Sequence, residues 1–67
     1  MPIINVKMTH EDGGATKEQK EKLAEALTDA FVNIFHRGEK TCVVTIDEVS
    51  TDNYAIGGKT ISNMRKK

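Results

Sequence analysis

The sequence predicts an α+β fold, a single β-α-β unit closed by a C-terminal hairpin or arm. Three observations predict it. A strand-like segment opens the chain at residues 2–8, an amphipathic stretch with a helix-start signature runs from 16 to 36, and a β-branched segment follows at 41–49. A helix of this length between two strands implies a parallel pair joined by a right-handed crossover. The whole chain, residues 1–67, reads as one domain.

In the first segment Ile4, Val6 and Met8 share one face, and Ile3, Asn5 and Lys7 the other. Pro2 is tolerated because it is the first strand residue. Residues 9–15 are polar and glycine-rich, hence a loop. Thr16-Lys17-Glu18-Gln19 matches a capping box, so the helix starts there. Leu23, Leu27, Ala30, Phe31, Ile34 and Phe35 recur at helical spacing and predict the buried stripe, with mixed charges opposite. Gly38 fits the terminating position, and His36 and Arg37 suit the last turn, where cations complement the helix dipole. Residues 50–53 predict a loop. Residues 54–60 predict a hairpin or arm turning at Gly57-Gly58, and 61–67 a polar tail anchored by Ile61 and Met64.

Size and composition narrow the function. A chain of 67 residues is marginal alone, and its single cysteine, Cys42, excludes an internal disulfide. Homo-oligomerisation is the expected remedy, through exposed sheet edges and an incompletely covered sheet face. Ten basic and ten acidic side chains give zero formal charge, which argues against nucleic acid as a partner. No apolar run approaches a membrane span and no secretory signal is visible, so a soluble cytoplasmic protein is expected.

Pro2, directly after Met1, is the residue with the most chemistry in it. Removal of Met1 leaves a secondary amine, and a model α-amino group has a pKa of about 7.7–8.0. An apolar pocket disfavours its charged form, giving a neutral base near pH 7.

Pro2 at the head of the first strand, Thr16-Lys17-Glu18-Gln19-Lys20 at the helix start, Ile46-Asp47-Glu48 closing the second strand and Asn53-Tyr54-Ala55-Ile56-Gly57-Gly58 after it together resemble the 4-oxalocrotonate tautomerase family, in particular its small bacterial branch with a longer first loop. The resemblance covers nearly the whole chain. It implies a tautomerase-like fold, two chains joined into a dimer with a four-stranded sheet, and three dimers in a homohexamer. It implies an isomerase without cofactor or metal, in which Pro2 is the catalytic base interconverting enol and keto forms of a small 2-oxo acid. Tyr54 then lines the substrate site, and Thr41 takes the place of a substrate-binding backbone amide. A tyrosine there adds a hydroxyl donor. Two arginines that hold substrate carboxylates in well-studied members are absent: the first loop has Gly13, Gly14 and Ala15, and the strand position is Val43. The arginines present are Arg37 and Arg65. The missing clamps leave a second reading, a non-catalytic oligomeric binding module on the same scaffold.

Other polar residues read as ordinary. His10-Glu11-Asp12 lacks metal-ligand spacing. His10 is either a solvated loop residue or a charge near Pro2. His36 is a helix-end residue, and Cys42 a small strand hydrophobe without a base to activate it. Lys7 and Lys40 read as surface cations, with replacement of the missing arginines as the alternative. Asp47 and Glu48, as strand neighbours, point to opposite faces and cannot flank one substrate.

Overall fold

The computed structural model describes residues 1–11 and 13–65. Its elements are β1 (Ile3–Thr9), α1 (Lys17–Phe35), β2 (Val43–Val49), a 3-10 turn (Thr51–Asn53), β3 (Ala55–Ile56), β4 (Lys59–Thr60) and α2 (Ile61–Met64). β1 and β2 pair in parallel, from Ile3 opposite Val43 to Thr9 opposite Val49. β3 and β4 form a separate antiparallel hairpin with Ala55 opposite Thr60. The expected β-α-β order and the hairpin at Gly57-Gly58 are both present.

The period-2 pattern assigns the sheet faces correctly. Ile4, Val6 and Met8 on β1 and Val44 and Ile46 on β2 are half-buried, while Ile3, Asn5, Lys7, Val43, Thr45 and Asp47 are exposed. On the exposed face the Asn5 amide donates to Thr45 Oγ1 at 2.6 Å and to Asp47 Oδ2 at 3.1 Å. That leaves Ile3 and Val43 as uncovered apolar surface, 72% and 38% exposed.

α1 begins where the capping box puts it. Thr16 Oγ1 accepts from the Gln19 N–H at 3.1 Å, and Gln19 Oε1 accepts from the Thr16 N–H at 2.9 Å. Its end differs from expectation. His36 is the left-handed cap, at φ 57°, and its N–H donates to Val32 O at 2.7 Å. Gly38 lies two residues further on at φ 92°. Arg37 therefore sits beyond the helix, and the last turn carries no basic residue. β2 also starts later than expected. The N–H groups of Thr41 and Cys42 turn back to Gly38 O at 3.2 and 2.9 Å, so neither joins the ladder. The tail contains α2, capped by Thr60 Oγ1, which accepts from the Asn63 N–H at 3.2 Å.

The buried stripe is rotated from the expected one. Leu23, Ala24, Leu27, Thr28, Phe31 and Val32 are half-buried, a pattern with alternating spacings of one and three. Ala30, Ile34 and Phe35 face outward; Ile34 is 70% exposed. The helix thus carries two apolar ridges, and its own sheet covers one. Among the described residues no side chain is fully buried. The molecule measures 48 × 25 × 14 Å with a radius of gyration of 15.3 Å, against about 11 Å for a compact domain of this length.

Candidate active site

Pro2 is fixed from both chain directions. Its carbonyl accepts from the Val43 N–H at 2.8 Å, which ties the start of β2 to it. Its ring packs on the turn after α1, where a Cβ on Gly38 would come within 3.2 Å of Pro2 Cγ and of a Phe31 ring carbon. Glycine admits both neighbours at this positive φ without displacing either. Phe31 in turn stacks on Phe35, with centroids 4.5 Å apart and planes at 28°.

These residues frame a cavity of about 290 Å³ lined by Met1, Pro2, Phe31, Arg37, Gly38 and Thr41. Its wall is mainly apolar, and among the described residues Arg37 is the one charged side chain on it. The Arg37 guanidinium carbon lies 6.0 Å from the Phe35 ring centroid. Sequence reading did not single Arg37 out, because it assigned the residue to the helix end. The signal was the chain reversal itself: His36 at φ 57° and Gly38 at φ 92° bracket Arg37 and swing it back toward β1. Met1 is 86% exposed on this cavity, and while it is attached the Pro2 nitrogen is an amide.

Thr41 lines the same cavity, and its N–H is already bonded to Gly38 O at 3.2 Å. Tyr54 does not join Pro2 within the chain. It lines a second cavity of about 420 Å³ with Lys7, Met8, Val49, Asn53 and Ala55. Pro2 stands before β1, whereas Tyr54 follows β2, and the strands are parallel. Seven residues of strand span roughly 20 Å, which separates the two. Lys7 lies with Tyr54, not with Pro2, and Lys40 lines neither cavity.

A polar cluster occupies the end of the sheet away from Pro2. Glu48, on the helix-facing side of β2, accepts from Lys20 Nζ at 2.7 Å and pairs with His10 Nδ1 at 2.8 Å. The Ala15 N–H also points to Glu48, at 3.4 Å. The hydrogen bond from Lys20, then that from His10, hold the Glu48 carboxyl down at about 2 against partial desolvation. Glu48 is therefore more than a strand-end polar group: it ties α1 and the first loop to the sheet. His10 belongs to this tie and is remote from Pro2. Glu11 diverges from it, accepting from Thr9 Oγ1 at 2.6 Å and pairing with Arg65 at 3.0 Å. The Thr9 bond, opposed by desolvation and aided by Arg65, lowers the Glu11 pKa. Asp12 lies outside the described residues. Among the described residues no three His, Cys, Asp or Glu side chains gather as metal ligands.

This geometry has known counterparts. A family model described as tautomerase enzyme matches residues 2–64. The chain is 43% identical over 67 residues to a Helicobacter pylori (strain J99) protein named probable tautomerase, covering 100% of this chain and 98% of that one. It is 41% identical over 64 residues to the 2-hydroxymuconate tautomerase of Bacillus subtilis (strain 168), covering 96% and 98%. Among solved structures, YwhB, a homologue of 4-oxalocrotonate tautomerase, superposes with a TM-score of 0.83 at 39% identity, covering 96% and 100%. A heterohexamer 4-oxalocrotonate tautomerase from Chloroflexus aurantiacus J-10-fl superposes at 0.79 with 28% identity, covering 97% and 100%. The family model spans nearly the whole chain and the relatives match it end to end, so the chain belongs to the tautomerase family, as an isomerase that interconverts tautomers.

Proposed function

We propose that the chain, once Met1 is removed, uses Pro2 as the general base of a cofactor-independent interconversion of enol and keto forms of a 2-oxo acid. The observation that carries this reading is the position of Pro2 on an apolar-walled cavity of about 290 Å³ beside Phe31 and Gly38. Such a wall disfavours the charged amine and keeps the nitrogen neutral. The neutral nitrogen takes the enol O–H proton. The oxygen becomes a carbonyl, the electron pair moves through the conjugated system, and a carbon at its far end receives the proton back. Atoms and electrons balance with no oxidant or second substrate.

Tyr54 reaches this cavity from another chain. Three observations support an assembly that brings it there: the separation of Tyr54 from Pro2 within one chain, the exposure of Ile3, Ile34 and Phe35, and the elongated outline. A dimer with a four-stranded sheet, repeated three times in a homohexamer, would cover these surfaces; one solved relative is a heterohexamer.

The test is ketonisation of phenylenolpyruvate and of 2-hydroxymuconate. A chain with an uncleaved N-terminal extension has an amide at Pro2 and loses the general-base contribution, about 10²–10⁴-fold. Pro2→Ala leaves a primary amine, and its loss is smaller. Full turnover by the extended chain removes Pro2 from the mechanism.

A further inference from the structure

We propose that Arg37 holds the carboxylate of the substrate beside Pro2, making the cavity selective for a conjugated monocarboxylate. Four observations carry this. Among the described residues, Arg37 is the one charged side chain lining the cavity that holds Pro2. It enters no ion pair among the described residues, whose ion pairs are those of His10 and Lys20 with Glu48 and of Arg65 with Glu11. Its backbone is bracketed by two left-handed residues, His36 at 57° and Gly38 at 92°, so the turn sets its direction. Its guanidinium carbon lies 6.0 Å from the Phe35 ring centroid, and Phe35 stacks on the cavity-lining Phe31.

The chemistry fits the placement. A guanidinium offers a planar fork of donors that matches a carboxylate in two parallel hydrogen bonds. An aromatic wall suits the conjugated carbon skeleton of the ligand. The strand and first-loop positions where the resemblance expects such cations carry Val43, Gly13, Gly14 and Ala15, so the cation here comes from the turn after α1.

The proposal rests on the Pro2 reading for turnover, and its test keeps the two apart. Binding of cinnamate, an unreactive conjugated carboxylate, is compared with binding of cinnamamide, its neutral isostere, by ligand-observed NMR on the processed, assembled protein. The wild type favours cinnamate roughly tenfold or more, as a charge-assisted pair gives. Arg37→Ala brings the two ligands to parity. Arg37→Lys restores part of the preference, because it keeps the charge without the fork. Lys22→Ala, which removes the same charge from the exposed side of α1, leaves the preference intact. Arg37→Ala also raises KM for phenylenolpyruvate about tenfold.

A carboxylate preference that survives Arg37→Ala, or that falls as far in Lys22→Ala, overturns the assignment, as does its absence from the wild type. Loss of turnover in the N-terminally extended chain with the cinnamate preference retained supports Arg37 and Pro2 separately. Normal turnover in that chain with the preference lost in Arg37→Ala sinks Pro2 as base and leaves Arg37 standing.

Discussion

Replacing Gly38 by alanine tests the contact that positions Pro2. Two costs are readable from the structure. At φ 92° an L-residue is strained, which costs about 1–2 kcal/mol. The added Cβ would also lie 3.2 Å from Pro2 Cγ, 3.2 Å from one Phe31 ring carbon and 3.3 Å from another. Carbon atoms rest at roughly 3.5–4.0 Å, so each neighbour must retreat by a few tenths of an ångström. Phe31 is held by its stack on Phe35, and Pro2 by its hydrogen bond to Val43. Overpacking of this kind costs about 1–3 kcal/mol, and the sum is about 2–5 kcal/mol. Gly13 supplies the control. It has φ 85° and, among the described residues, nothing within 4 Å of its hypothetical Cβ, so Gly13→Ala carries the strain cost alone. Urea unfolding of both variants at one fixed protein concentration measures the difference, since the midpoint of an assembling protein depends on concentration. Gly38→Ala is expected to be the less stable by about 1–3 kcal/mol. It also lowers kcat through displacement of Pro2, by less than the ~100-fold associated with a full ångström. Equal stability of the two variants, with unchanged kcat, would refute the claim that Gly38 is the seat of Pro2.

Two further outcomes follow from the start of α1. The Glu48 carboxyl is held near 2, below its ordinary 4.5, by Lys20 and then His10; its folded pKa is depressed, so its contribution is complete above 4.5 and is lost as pH falls toward 2. Protection of the Ala15 amide from hydrogen exchange should hold from pH 7 to pH 5 and decline below, whereas Glu48→Gln should show reduced protection already at pH 7. Thr16→Ala removes the hydroxyl that accepts from Gln19 and should lower stability by about 1 kcal/mol in urea unfolding, with Thr16→Ser restoring most of it.

The elements with local chemical signatures were legible in the sequence. The capping box marks the α1 start because both of its hydrogen bonds are made within four residues, and the period-2 pattern of β1 and β2 separates their faces because strand geometry enforces it. Other features depend on distant partners. Thr41 and Cys42 look like strand residues, yet the Gly38 carbonyl claims both amides. Ile34 and Phe35 fit a helical stripe, yet the sheet meets Leu23, Leu27 and Phe31, which leaves a second ridge bare. The place of Pro2 at the head of β1 was legible. Arg37 was not, because its place on the same cavity is made by the turn at His36 and Gly38 and not by any motif. Glu48 was misjudged for a similar reason: Lys20 and His10 approach it from separate segments.

The distribution of the site has a consequence for how the protein responds to dilution. Pro2, Phe31, Arg37 and Thr41 share one cavity within a single chain, so Pro2 and its neighbouring cation need no partner to meet. Tyr54 lies beyond the far end of the sheet, on a cavity of its own. On the proposed assembly the same contacts that cover Ile3, Ile34 and Phe35 deliver Tyr54 and exclude water from Pro2. Association then supplies at once the apolar burial that a 67-residue chain lacks and the dry surroundings that keep a secondary amine uncharged. A dissociated chain would retain the Pro2–Arg37 pair while exposing both to solvent, so substrate binding and catalytic rate should fall on different scales. On the proposed mechanism the carboxylate contact weakens as water competes for it, whereas a Pro2 amine that open solvent keeps charged no longer accepts a proton.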